Sequence, residues 1–238
     1  MTLRLALPDG ALRAPTLELL AAAGVTIDKE PAGGEGRRHG AGAHEAPAPG
    51  GDHAGAQKAP HEGPAARLVV VAAADVPAYL ACGAAELGVM AKTALLERGA
   101  GLCELLDLRF GASLLVYAAA PGAAARGERL GRLRVATRHP RLTRSYFAAR
   151  GLQVTVVEVA GELERAAHDG LADGVVAPVE TLPGAAPPER VGALEVAGVV
   201  AESGARLVAG RGGRVLHAAE LGTLVTRLRE TLAREVPA

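Results

Sequence analysis

Short apolar runs alternate along this chain with stretches of helical spacing, and that alternation restricts the fold more than any other feature. Leu3 to Leu7 reads as a strand. A turn at Pro8-Asp9-Gly10 follows, then a helix through Leu12, Leu17, Leu19 and Leu20 that stops at Gly24. RLVVVA (67–72) is a second strand, and Asp75 is placed to cap a helix with Pro77 in its first turn. ELGVM (86–90) is a strand and Lys92 to Arg98 a helix. LCELLDL and SLLVYAAA are strands on either side of the turn Arg109-Phe110-Gly111. The middle repeats the rhythm: strand RVAT, helix Pro140 to Arg150 closed by Gly151, strand VTVVEV, helix Glu162 to His168, strand GVVA. Strands near Leu194 to Val200 and Ala205 to Val208 precede a last helix. That helix carries Leu221, Leu224, Val225, Leu228 and Leu232 at helical spacing, a docking stripe. The pattern predicts an α/β protein with a parallel or mixed sheet and helices on both faces.

One segment breaks the rhythm. Residues 31–66 contain no Val, Ile, Leu, Met, Phe, Tyr or Cys, so burial cannot offset their ordering entropy. They read as a disordered surface insertion. His39, His44, His53 and His61 lie in it at spacings of 5, 9 and 8, which match no common zinc pattern.

Composition narrows the remaining choices. Hydrophobic residues make up 49% of the chain but aromatics only 2%, so Ala, Val and Leu must build the core. Lys plus Arg equals Asp plus Glu, 26 each, so bulk charge points to no nucleic-acid or membrane partner. Any bound anion must be held by local geometry. Cys82 and Cys103 are expected to be buried thiols in a reducing compartment. The N-terminus lacks the apolar core of a signal peptide, and no apolar run reaches the ~20 residues of a membrane span. These features together predict a cytoplasmic protein.

Several strings, in order, resemble the short form of ATP phosphoribosyltransferase, the catalytic subunit of the first step of histidine biosynthesis. They are ALPDG near the start, DVPAYLACGAAELGVMAKTALLE, ELLDLRFG, RVATRHPRLTRSYFAARGL, GELERAAHDGLADGVV and ESGARLVA. They cover most of the chain outside the insertion, and their order and spacing are more specific than any one of them. The resemblance implies two α/β lobes like a type II periplasmic binding protein, with ligands in the cleft between them. Residues 1–108 and 185–238 would form lobe one, and 109–184 lobe two. It implies a reaction in which N1 of the ATP adenine displaces pyrophosphate from C1 of phosphoribosyl pyrophosphate, with substrate-bound Mg²⁺ neutralising the leaving group. It also implies a regulatory partner resembling histidyl-tRNA synthetase in a hetero-oligomer, because short forms lack the C-terminal allosteric domain.

The family's phosphoribosyl-pyrophosphate loop reads Asp, an aliphatic residue, Val, Glu or Asp, Thr or Ser, Gly, any residue, Thr. Carboxylates there hold ribose hydroxyls, while hydroxyls and backbone N–H groups hold the 5′-phosphate. Here the matching string is Ala177-Pro178-Val179-Glu180-Thr181-Leu182-Pro183-Gly184. Glu180 and Thr181 fit, and the N–H of Gly184 can face a phosphate. Ala177, Leu182 and Pro183 depart from the pattern. On the ATP side the resemblance singles out Gly10, Lys92 and Arg138, with no protein metal ligand. Asp9, Ala11, Ala72, Ala91, Thr93 and Leu114 also depart from it. Arg138, Arg141 and Arg144 surround a helix start that reads equally as a phosphate contact or a solvated cap. His139 reads as a surface residue, and GRGGR (210–214) as a flexible turn rather than a phosphate loop. Three readings follow: a working catalytic subunit, a non-catalytic paralogue serving nucleotide binding or assembly, and a solute-binding module on the same type of fold.

Overall fold

The computed structural model describes residues 3–28, 65–123, 125, 131, 133–182 and 184–234. The disorder and the four histidines expected within 31–64 lie outside those residues. Two six-stranded sheets organise the rest. The first holds β1 (Leu3–Pro8), β2 (Thr26–Asp28), β3 (Ala65–Val71), β4 (Leu87–Ala91), β5 (Leu102–Asp107) and β12 (Ala205–Gly210), in the order β2-β3-β1-β4-β12-β5. Strands β1 to β4 are parallel, and β12 runs antiparallel to β4 and β5. The second holds β6 (Ser113–Ala119), β7 (Leu133–Thr137), β8 (Val154–Glu158), β9 (Gly174–Glu180), β10 (Arg190–Val191) and β11 (Leu194–Ser203), in the order β10-β11-β6-β9-β7-β8.

Helices α1 (Arg13–Ala22), α2 (Val76–Ala81), α3 (Lys92–Arg98), α6 (Arg211–Leu216) and α7 (Ala218–Arg234) belong to the first lobe. Helices α4 (Pro140–Ala148) and α5 (Leu163–His168) belong to the second. The period of two along β1 sorts its side chains. Leu3, Leu5 and Leu7 pack with Leu19, Leu20, Leu224 and Leu228 of α1 and α7, while Ala6 packs with Val76 and Leu80 of α2. The second sheet repeats the device. Leu115, Tyr117, Val135 and Val176 meet Phe147 of α4 on one face, and Ala118, Ala136, Val175 and Ala177 meet Leu163 and Ala166 of α5 on the other. The scarce aromatics are concentrated here, with Tyr117 and Phe147 edge to face at 5.0 Å. Gly174 lets β9 pass this pair, because a Cβ there would lie 2.8 Å from the Tyr117 ring.

Several expectations change. Asp75 sits at the start of α2, but its side chain makes no capping bond; its carbonyl accepts from Ala78 and Tyr79 instead. GRGGR is not a turn: it opens α6. A Cβ on Gly210 would lie 2.4 Å from the Leu80 carbonyl oxygen, and one on Gly213 3.0 Å from the Glu86 backbone. Those glycines serve close backbone approach rather than flexibility. Ala65 and Ala66 belong to β3, paired with Leu3, Thr26 and Ile27, so the insertion does not extend to residue 66. Cys82 is exposed and Cys103 partly so, and both are free. By hydrogen bonding, β10 and β11 join the second sheet, so the chain returns to the first sheet at Gly204 rather than near residue 185. Antiparallel pairing of β11 with β6 from Glu195 to Ser203, across two register shifts, holds it there. No helix among the described residues is long and apolar enough to cross a membrane.

Candidate functional site

The chain crosses between sheets twice, at Arg109–Ala112 and at Gly204, and the two crossings bond to each other. Leu108 N–H donates to the Ala205 carbonyl (3.0 Å), and Ala205 N–H donates to that of Phe110 (2.9 Å). A cleft opens beside them. One cavity of about 610 Å³ takes Ala11, Leu12 and Ala91 from the first lobe and Pro178, Glu180 and Thr181 from the second. A neighbouring cavity of about 480 Å³ is walled by Thr181, Leu182 and Gly184 on one side and by Asp107, Glu202 and Arg206 on the other. Arg109, Phe110, Ala112 and Ser113 line both. A larger hollow, about 830 Å³, lies on the second lobe beside α5. Its Arg134 and Asp173 are paired with each other at 2.9 Å, and only one lobe forms it. The cleft is the better site because both lobes and the crossings build it.

The structure brings Glu180, Thr181 and Gly184 together at the end of β9. Glu180 pairs opposite Ser113 in the ladder, and Thr181 N–H donates to the Ala112 carbonyl at 3.1 Å. That amide is therefore committed, and the Thr181 hydroxyl is the group left for a ligand. Leu182 accepts from Ala185 N–H at 3.0 Å, closing a turn in which Gly184 takes φ +73°. Ala177 is buried against α5 and lines neither cavity.

The residues expected at ATP are not brought together. Gly10 has φ +111° and leads into Ala11 at the cleft wall. Lys92 is ion-paired with Glu104. Glu104 also lies 3.0 Å from Arg206 Nε, an ion pair without hydrogen-bond alignment, and Arg206 Nη1 reaches Asp107 at 2.7 Å. Arg138 donates to the Gly161 carbonyl within its own lobe, at 2.7 Å. Asp9, exposed, lies 3.8 Å from Arg13.

Helix α3 ties the lobes in two places. Thr93 N–H donates to Ser203 Oγ of β11 at 3.1 Å, and the two hydroxyls lie 3.2 Å apart. Glu97 accepts from the backbone N–H groups of Arg141 (2.7 Å) and Leu142 (2.9 Å) at the start of α4. A carboxylate from the opposite lobe thus occupies the helix N-terminus that the sequence left open between phosphate contact and solvation. His139 is not a surface residue. It is half-buried, and its Nδ1 has no hydrogen-bond partner. Burial lowers its pKa below the usual histidine value; nearby Glu97 opposes the shift, while Arg98 and Arg138 reinforce it. Nothing local marks Glu97 as a cap for Arg141, 44 residues away.

Residues 72–230 match the model of the ATP phosphoribosyltransferase family. The ATP phosphoribosyltransferase of Pseudomonas paraeruginosa is 35% identical over 231 residues, covering 97% of each chain. Among solved structures, a chain of the ATP phosphoribosyl transferase (HisG:HisZ) complex from Thermotoga maritima superposes with a TM-score of 0.70. It is 22% identical and covers 98% of this chain and all of its own. The VFT2 domain of Bordetella pertussis BvgS is 15% identical with a TM-score of 0.53, covering 98% of this chain and 92% of that one. The fold is thus the two-lobed type of periplasmic binding proteins, and the chain belongs to the ATP phosphoribosyltransferase family.

Proposed function

We propose that this chain is a catalytic subunit joining ATP to phosphoribosyl pyrophosphate, forming phosphoribosyl-ATP and pyrophosphate in histidine biosynthesis. The observation that carries the reading is a cleft in which Glu180 and Thr181 share one cavity with Ala11 and Ala91 of the other lobe, while Thr181 and Gly184 line the adjoining one. The Glu180 carboxylate accepts from ribose hydroxyls, and the Thr181 hydroxyl and Gly184 N–H donate to the 5′-phosphate. The adenine N1 lone pair forms the new bond to C1, the C1–O bond breaks, and pyrophosphate departs with the bonding pair. N1 carries no proton, so no general base has to act before attack. The cleft's task is to align two substrates and to stabilise charge on the leaving group.

Among the described residues no group of three or more His, Cys, Asp and Glu side chains converges to hold a metal. In this reading Mg²⁺ enters as part of the substrates' polyphosphates, as the family resemblance implies. A histidyl-tRNA-synthetase-like regulatory subunit in a cytoplasmic hetero-oligomer completes the proposal. The two-component Thermotoga complex supports that part.

Incubating the purified chain with ATP, phosphoribosyl pyrophosphate and Mg²⁺, with and without the regulatory subunit, tests the reading. Phosphoribosyl-ATP is expected in at least one mixture. Its absence from both overturns the catalytic assignment.

A further inference from the structure

The cleft must accept polyanions, yet its charged lining is mostly acidic. Asp107, Glu180 and Glu202 face the two cavities, against the cations Arg109 and Arg206. Arg206 is held by Glu104 and Asp107 and is largely buried. Lys92, near the cleft wall, is paired with Glu104. Arg109 differs. Among the described residues its guanidinium makes no hydrogen bond or ion pair, it is exposed, and it lines both cavities.

Its backbone is unusual too. Arg109 is the one non-glycine described residue with positive φ, at +60°. A side chain in the left-handed region is strained, and such strain collects where a side chain must be aimed at a ligand. Two bonds hold the conformation from either side. Arg109 N–H donates to Asp107 Oδ1 at 2.9 Å, and the following Phe110 carbonyl accepts from Ala205 N–H. Asp107 is itself fixed by Arg206 at 2.7 Å. The ion-paired network thus anchors a backbone that presents to the cleft the one uncommitted cation among its described lining residues.

We propose that Arg109 is the anion-binding residue of this cleft, its guanidinium donating to phosphate oxygens of a bound polyphosphate. A planar fork of N–H donors suits a phosphate or diphosphate group. The proposal rests on the reading that phosphate-bearing substrates occupy the cleft, but not on turnover. It makes the lobe crossing a binding element as well as a connector.

Calorimetry of the full chain with Mg²⁺ and, separately, ATP, phosphoribosyl pyrophosphate and inorganic pyrophosphate tests it and identifies which diphosphate Arg109 holds. R109Q is expected to weaken binding of at least one of them about 10-fold or more, and R109K, which keeps the charge but loses the fork, to fall between R109Q and the unsubstituted chain. R109G supplies the control for structure. Glycine adopts φ +60° freely, so its melting temperature should equal or exceed that of the unsubstituted chain while binding falls as in R109Q. A merely structural Arg109 would give a lower melting temperature instead. Unchanged affinity of R109Q and R109G for all three ligands overturns the proposal, as does failure of the unsubstituted chain to bind any of them. Binding that depends on Arg109, with no phosphoribosyl-ATP formed either with or without the regulatory subunit, would sink the catalytic reading and leave this one standing.

Discussion

Two places in the second lobe offer backbone N–H groups to an anion, and the structure treats them differently. At the start of α4 the donors of Arg141 and Leu142 are taken by Glu97 from the opposite lobe. At the end of β9 the Gly184 turn, the Thr181 hydroxyl and Glu180 face an open cavity. Sequence pattern leaves α4, with Arg138, Arg141 and Arg144 around its first turn, open between a phosphate contact and a solvated cap, and the family resemblance points to the β9 turn. Geometry favours the β9 turn. A helix N-terminus beside another lobe is satisfied by whichever carboxylate the fold brings near, and it then ties lobes together instead of binding ligand.

The most severe way to break the comparison is to remove the scaffold of α4. Phe147 is 1% exposed and packs edge to face on both Tyr117 and Tyr146. Phe147→Ala should destabilise the fold by about 3–5 kcal/mol, seen as a large loss of melting temperature and of denaturant midpoint. The open site should respond in activity rather than stability. Glu180→Gln is expected to lower kcat/KM about 10- to 100-fold, with a melting temperature within about 2 °C of the original. Steady-state kinetics with phosphoribosyl pyrophosphate varied checks this.

Glu97→Ala probes the filled site. Loss of the capping carboxylate should cost about 1 kcal/mol. Inorganic phosphate should then raise the melting temperature of the variant more than that of the unsubstituted protein, because the freed amides become an anion site. Equal phosphate effects would show that the basic first turn of α4 has no anion affinity of its own.

The smallest effect concerns His139. Its pKa in the folded state is lowered, chiefly by burial, while the unfolded chain titrates near 6.5. Between those two values the unfolded state binds more protons, so stability rises with pH there and falls as pH drops below about 6.5. A melting-temperature profile across that range should be flatter in His139→Gln. The difference is modest because Glu97 partly opposes the shift.

The elements themselves were largely legible in the chain. Lys92–Arg98 is a helix as its pattern reads, and Gly24 and Gly151 end helices with positive φ. The pattern misleads where a residue answers to a distant backbone. The glycines at 210 and 213 look like turn residues until the approach of Leu80 and Glu86 is known. Strand β2 is three residues long and exists through its pairing with β3, across the segment that breaks the pattern. At the site, Glu180 and Thr181 were readable because their spacing is local. Arg109 was visible only as a turn residue, since neither its φ nor its place in both cavities leaves a trace in the string.

What the amino-acid order settled is therefore the succession of strands and helices, the apolar faces they bury and the family to which the chain belongs. Those depend on periodicity and on residues within one element. Folding in three dimensions settled which charges are spent and which remain. Lys92 is neutralised by Glu104, Arg206 is shared by Glu104 and Asp107, the α4 terminus is closed by Glu97, and Arg109 stays uncommitted. Charge pairing acts over a few ångströms between residues far apart in the chain, so its outcome appears only once the two lobes have met.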